Sequence, residues 1–202
     1  MSSKTAWLEA EWLDKAVGWI DRQLEDMGEK RIGQIEQPHV TGSTTVLRAS
    51  TSMKDVYLKA VSPAFRFEIA LTEYLARNWP EISPRVLAAD PGLVWMLMAD
   101  GGERLRELLK AELDLSHWES VLSSYARFQR ETIEHSADLL RLGTPDRRLP
   151  FLIERFNRFL EHPEKLICSE LTEAEVDELI ASRPIREKHD LRIVGGPCRM
   201  LI

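Results

Sequence analysis

The feature that most constrains this chain is a change of hydrophobic period along it. At the start, Trp12, Ala16, Trp19, Ile20, Leu24 and Met27 fall on one helical stripe, and Gly28 follows as a stop. From Arg31 to Ala60 that period is gone. Short β-type runs replace it at 32–40, 44–51 and 55–60, separated by Thr41-Gly42-Ser43 and by Ser52-Met53-Lys54. Connections this short predict an antiparallel meander, because parallel neighbours need a long crossover.

Ser62-Pro63 then signals a helix start, with Ser as N-cap and Pro at the first helical position. Phe67, Leu71, Tyr74, Leu75 and Asn78 continue one face of that helix, and Trp79-Pro80 ends it. Two more strand-like runs, 85–89 and 93–98, flank the turn Asp90-Pro91-Gly92, in which Pro presets φ and Gly accepts a positive φ. After Gly101-Gly102 the pattern is helical. Ser116-His117-Trp118-Glu119 reads as a capping box ahead of Val121, Leu122, Tyr125 and Phe128. A second helix includes Phe151, Leu152, Phe156, Phe159 and Leu160. A third starts at Thr172, with Glu175 completing a capping box and Leu171 and Val176 forming a staple, and ends near Pro184. From Ile185 onward no period is visible. The order predicts an α+β fold with a five-stranded antiparallel sheet.

Composition narrows the function classes. The chain has 202 residues, 44% hydrophobic and 30% charged, as a soluble globular protein does. Its net charge of -6 leaves no electrostatic footprint for nucleic acid. The N-terminus carries Glu9 and Glu11 and no signal-peptide core, and the longest apolar run, 93–99, is far short of a membrane span. Cys168 and Cys198 lack metal-ligand spacing and are expected to be reduced thiols in a cytoplasmic protein.

Four local features bear on chemistry. Lys59 stands near the end of the third strand, where an ammonium can hold phosphate oxygens; a solvated strand-edge lysine is the plainer alternative. Glu68 lies in the following helix at i−3 from Leu71 and i−7 from Leu75. A carboxylate on that face needs a cation, and Lys59 is the candidate; reaching water at the rim is the alternative. Glu73, five residues further round, points to another side. Gly42, Ser43 and Thr44 form a small loop that brings N–H groups and hydroxyls over phosphates, or simply closes a hairpin. The run 95–102, with Met98, Ala99 and Asp100 leading into Gly101-Gly102, is either a core strand with a loop or a hinge whose backbone pairs with an adenine edge.

The order and spacing of these features carry a resemblance. Residues 56–60, then Pro63, Phe65, Glu68, Leu71-Thr72, Leu75-Ala76, Pro84, Val86-Leu87-Ala88 and Leu97-Met98-x-Asp100-x-Gly102, are similar to the aminoglycoside phosphotransferase family. A looser likeness continues through His117-Trp118-Glu119, Tyr125-Ala126, Gln129 and 145–149, covering roughly 5–182. The resemblance implies a protein-kinase-like small lobe at 1–97, a hinge at 98–102, part of a helical large lobe at 103–184, and a divergent tail at 185–202. It implies ATP as cofactor, with Mg²⁺, and a small hydroxyl-bearing acceptor. Lys59 becomes the phosphate lysine, Glu68 its partner, and Met98, Ala99 and Asp100 the adenine hinge.

The family's transfer step needs a His-Gly-Asp loop, an Asn five residues after that Asp, and a second metal-binding Asp. The two asparagines, Asn78 and Asn157, do not fit: Leu152 stands five before Asn157. His135-Ser136-Ala137-Asp138 has Gly143 at that offset, and His189-Asp190 has Gly195. The expectation is therefore a fragment truncated before its catalytic loop, with no catalytic or metal residue of its own and with large-lobe helices whose exposed apolar faces favour self-association. A non-catalytic scaffold, with Lys59 and Glu68 as a structural ion pair, is the competing reading. An enzyme using Asp100 or Asp138 as improvised metal ligands is a third.

Overall fold

The computed structural model describes residues 6–105, 107, 115–161 and 172–181, and the chain divides into two units, Met1–Thr144 and Pro145–Ile202. The first unit runs α1 (Ala10–Asp26), β1 (Arg31–Val40), β2 (Thr44–Thr51), β3 (Asp55–Val61), a 3₁₀ turn (Pro63–Phe65), α2 (Phe67–Asn78), β4 (Val86–Asp90), β5 (Trp95–Ala99), α3 (Ser116–Glu131) and α4 (Ser136–Arg141). All its strand pairings are antiparallel, in the order β1-β2-β3-β5-β4. This is the α+β architecture that the alternation predicts.

Strand alternation sorts the side chains onto two faces. On one, Leu47 and Ala49 of β2, Leu58 and Ala60 of β3, and Trp95 and Leu97 of β5 pack against Ala16, Trp19, Ile20 and Leu24 of α1. Trp12 and Trp19 meet Trp95 edge to face, each with ring centroids 5.8 Å apart. Each large side chain withdrawn from water here contributes about 1.5–3 kcal/mol. Arg31 clamps α1 to β1, its Nε and Nη2 donating to Asp21 at 2.8 and 3.0 Å. Gly28 ends α1 with φ +76, the left-handed conformation that glycine adopts at low cost. On the opposite face, Ile69 of α2 buries against Val61, Val94 and Met96.

Several local expectations are corrected. Ser62 makes no cap bond; Pro63–Phe65 closes through i→i+3 bonds and the α-helix starts only at Phe67. The residue that anchors α2 is Ile69, one position off the expected stripe. In the 90–94 turn the positive φ falls on Val94 (+60), not Gly92, while Asp90 Oδ1 accepts from Leu93 N–H at 2.9 Å. A β-branched residue there costs about 1–2 kcal/mol, offset by burying its side chain with Val61 and Met96. Helix α3 has Leu115 at its N-cap and no side-chain cap bond, so Ser116 lies inside the helix. Its Leu115, Trp118, Val121, Leu122 and Tyr125 stay exposed, while Phe128 packs edge to face on Trp79 at 5.3 Å.

In the second unit, α5 (Leu149–Leu160) and α6 (Glu173–Ala181) bury Leu160 and Val176, with Phe156 packed against them. The capping box at Thr172 is present: Thr172 N–H and Oγ1 donate to Glu175 Oε2 at 2.8 and 2.7 Å, and Glu175 N–H donates back at 3.4 Å. The Thr172 N–H bond, then the hydroxyl bond, hold the Glu175 carboxyl below its usual range. Leu171, Cys168, Cys198 and the tail 185–202 lie outside the described residues.

Candidate functional site

Lys59 stands between Leu58 and Ala60, both fully buried against α1. Alternation therefore turns Lys59 to the other face, opposite Val46 on β2 and Met96 on β5. Burial of Ile69 brings the first turn of α2 across that face, and Glu68 precedes it. Lys59 Nζ donates to Glu68 Oε1, and each side chain is 27% exposed. A pair this accessible contributes on the order of 1 kcal/mol to folding. Its larger effect is to fix the direction of a flexible ammonium. Glu73 instead lines a cleft of 430 Å³ between α2 and β4.

The 41–44 turn closes next to the same strand end. Thr44 pairs with Val61, two residues beyond Lys59, and Ser43 O accepts from Ser62 N–H at 2.8 Å. The turn is held from within: Ser43 and Thr44 N–H both donate to Thr41 Oγ1, at 3.3 and 3.1 Å. Those two donors are thus occupied within the turn.

At the far end of β5, Met98 lies on the Lys59 face, opposite Tyr57. Ala99 N–H donates to Arg85 O at 2.9 Å, and Asp100 Oδ1 accepts from Gly102 N–H at 3.1 Å. The structure therefore brings Lys59, Glu68 and Met98 to one face. It places Ala99 in a ladder bond and Asp100 in a local turn, where Gly102 takes φ +88. The first cleft, and a second of 440 Å³ lined by Trp79, Arg130, Glu134 and His135 among others, are lined by neither Lys59 nor Glu68.

A polar cluster that sequence reasoning misses joins α2 to α4. Tyr74 Oη lies 2.7 Å from His135 Nδ1 and 3.2 Å from Asp138 Oδ2, and Trp79 Nε1 donates to Glu131 Oε2 at 2.7 Å. Withdrawal from water, then the bond to Asp138, push the Tyr74 hydroxyl above its ordinary range. The partners lie 61 and 64 residues from Tyr74, so no local pattern announces them.

Among the described residues, no group of three or more His, Cys, Asp or Glu side chains is placed to hold a metal ion. No helix among them is long and apolar enough to cross a membrane. Set against protein-family models, curated proteins and solved structures, the chain gives no match.

Proposed function

We propose that the first unit is a nucleotide-binding lobe of the kind carried by kinases that resemble the aminoglycoside phosphotransferases. Lys59 holds the α- and β-phosphate oxygens of ATP, and Glu68 holds Lys59. The observation that carries this is the Lys59–Glu68 pair on the sheet face that also bears Met96 and Met98. An ammonium has three N–H donors. One is spent on Glu68, which leaves two for phosphate oxygens, and the partial exposure of the side chain makes them reachable. Met98 lies two residues along β5 from Met96, roughly 7 Å, and offers an apolar contact to a base on the same face.

Asp100 accepts from Gly102 and Asp138 is engaged by Tyr74 and Arg141, and among the described residues neither joins a group of three or more His, Cys, Asp or Glu that could hold Mg²⁺. The proposed activity is therefore nucleotide binding, with no transfer step assigned to the described residues. A small hydroxyl-bearing acceptor remains what the resemblance implies.

Calorimetric titration of the full chain with ATP tests this, with Lys59→Ala as the comparison and thermal melts to confirm that both proteins fold. The expected result is saturable binding that weakens about tenfold or more in the variant, because a charge-assisted contact to phosphate is lost. Equal affinity in both proteins, or no binding to either, makes the pair a structural one and the unit a scaffold.

A further inference from the structure

The sheet has two outer strands, and they differ as templates for another chain. On β1, two breaks in register, Pro38 without an N–H, and Gly33 at φ +75 spoil the edge. On β4 there is one register shift and no proline from Val86 to Asp90. The 430 Å³ cleft lies beside β4, with Arg77 of α2 on one side and Arg85, just before the strand, on the other.

The two guanidiniums are the unusual part. Both side chains are exposed, and neither makes an ion pair or side-chain hydrogen bond among the described residues. Arg77 sits in the last turn of α2, where a cation complements the helix dipole. Arg85 belongs to no helix and has no such explanation. Glu73 is the one acid lining the cleft, against two cations. The polar groups of an outer strand and two guanidiniums unpaired among the described residues therefore share one groove, whose apolar lining is Ala76, Pro80, Val86, Leu87 and Ala88.

We propose that β4 and this cleft dock an extended acidic peptide, which adds as an outer strand and pairs its carboxylates with Arg77 and Arg85. Edge pairing supplies affinity through the main chain, and bidentate guanidinium–carboxylate contacts supply the preference for acid. Side chains two apart on the peptide share a face, so acids at alternate positions reach the cleft together. A second copy of this chain is disfavoured at the same edge, since pairing β4 with β4 brings like charges together. The proposal does not depend on nucleotide binding.

The probe is a fluorescein-labelled heptapeptide alternating Glu and Val, titrated with the full chain by fluorescence anisotropy. Its comparisons are the same peptide with Lys for Glu, and one of equal charge with Pro for Val. The acidic peptide is expected to bind at least about tenfold more tightly than either comparison, and to lose about tenfold or more on Arg77→Glu with Arg85→Glu. Circular dichroism on the double variant confirms that its fold is kept. The proposal is overturned by no preference for the acidic over the basic peptide, or by unchanged affinity in the folded double variant. Equal binding of the proline peptide overturns the edge pairing.

Discussion

In the proposed nucleotide site Glu68 acts through Lys59, which it contacts, and a double-mutant cycle can isolate that role. Glu68→Gln keeps the shape and removes the charge; Lys59→Met keeps most of the stem. Two unit charges about 4 Å apart attract by about 4 kcal/mol at an effective dielectric near 20, and by about 1 kcal/mol in bulk water. With each partner 27% exposed, the pair lies between these limits. Desolvation and lost rotamer freedom bring the net contribution to about 1 kcal/mol. Urea unfolding of the four proteins should therefore give a coupling of about 1 kcal/mol. ATP affinity supplies a separate cycle. Lys59→Met should cost about tenfold or more. Glu68→Gln should cost roughly fivefold, the equivalent of about 1 kcal/mol of lost orientation. In the Lys59→Met background Glu68→Gln should then change nothing. Two results would refute this reasoning. If Glu68→Gln weakens ATP equally in both backgrounds, Glu68 does not work through Lys59. If it tightens ATP in the wild-type background, its charge opposes the phosphates more than its contact orients the lysine.

Other predictions follow from the hydrogen-bond and charge geometry. Tyr74 has one hydroxyl proton and two neighbours, so donation to Asp138 requires His135 to donate from Nδ1; a nitrogen-15 spectrum showing an unprotonated Nδ1 would contradict that arrangement. Tyr74→Phe should lower stability by about 1 kcal/mol, measured by urea unfolding. Thr45 is fully buried, donates to His39 O at 2.8 Å and accepts from Gln37 Nε2 at 3.0 Å, so Thr45→Val should cost about 1–3 kcal/mol and lower the melting temperature. Bonds from Ser50 and then Arg48 hold the Asp55 carboxyl below its ordinary range, so its contribution to folding is complete above the unfolded value of about 3.9 and is lost as pH falls through the lower folded value. Asp55→Asn should therefore flatten the acid limb of the stability curve below about pH 4, and an acid limb identical to wild type would count against the assignment.

What the sequence discloses and what it withholds divide along a physical line. Strands β2 and β3 are legible because every second residue of each is buried, which is the period-2 signal itself. Helix α1 is legible because its buried residues repeat at helical spacing. Caps and turns fare less well, since a cap motif states what a residue can do and the surrounding chain decides whether it does. Thr172 caps its helix; Ser116 matches the same capping box and Ser62 stands before a Pro as a cap candidate, yet neither sits as the cap of an α-helix. In the 90–94 turn, Asp90 settles the bend by accepting from Leu93, and the strained φ passes to Val94. The Tyr74–His135–Asp138 cluster and the Arg77–Arg85 cleft arise where separate elements meet, so neither has a local signature.

The Lys59–Glu68 pair is legible for the same reason that the core is. A slip of one residue in β3 would drive Lys59 into the tryptophan-rich side and present Leu58 to Glu68. Burying an ammonium without a partner costs several kcal/mol, so the hydrophobic core enforces the orientation that the proposed site requires. The pairing of β3 is unbroken on both sides, from Thr44↔Val61 to Ser50↔Asp55 with β2 and from Val56↔Ala99 to Ala60↔Trp95 with β5. The register breaks occur on the outer strands β1 and β4. The position of Lys59 is thus fixed by the most regular part of the sheet, whereas the edge chemistry at Arg85 is set where regularity fails. Substitutions in β1 should accordingly change stability while leaving the direction of the Lys59 ammonium unchanged.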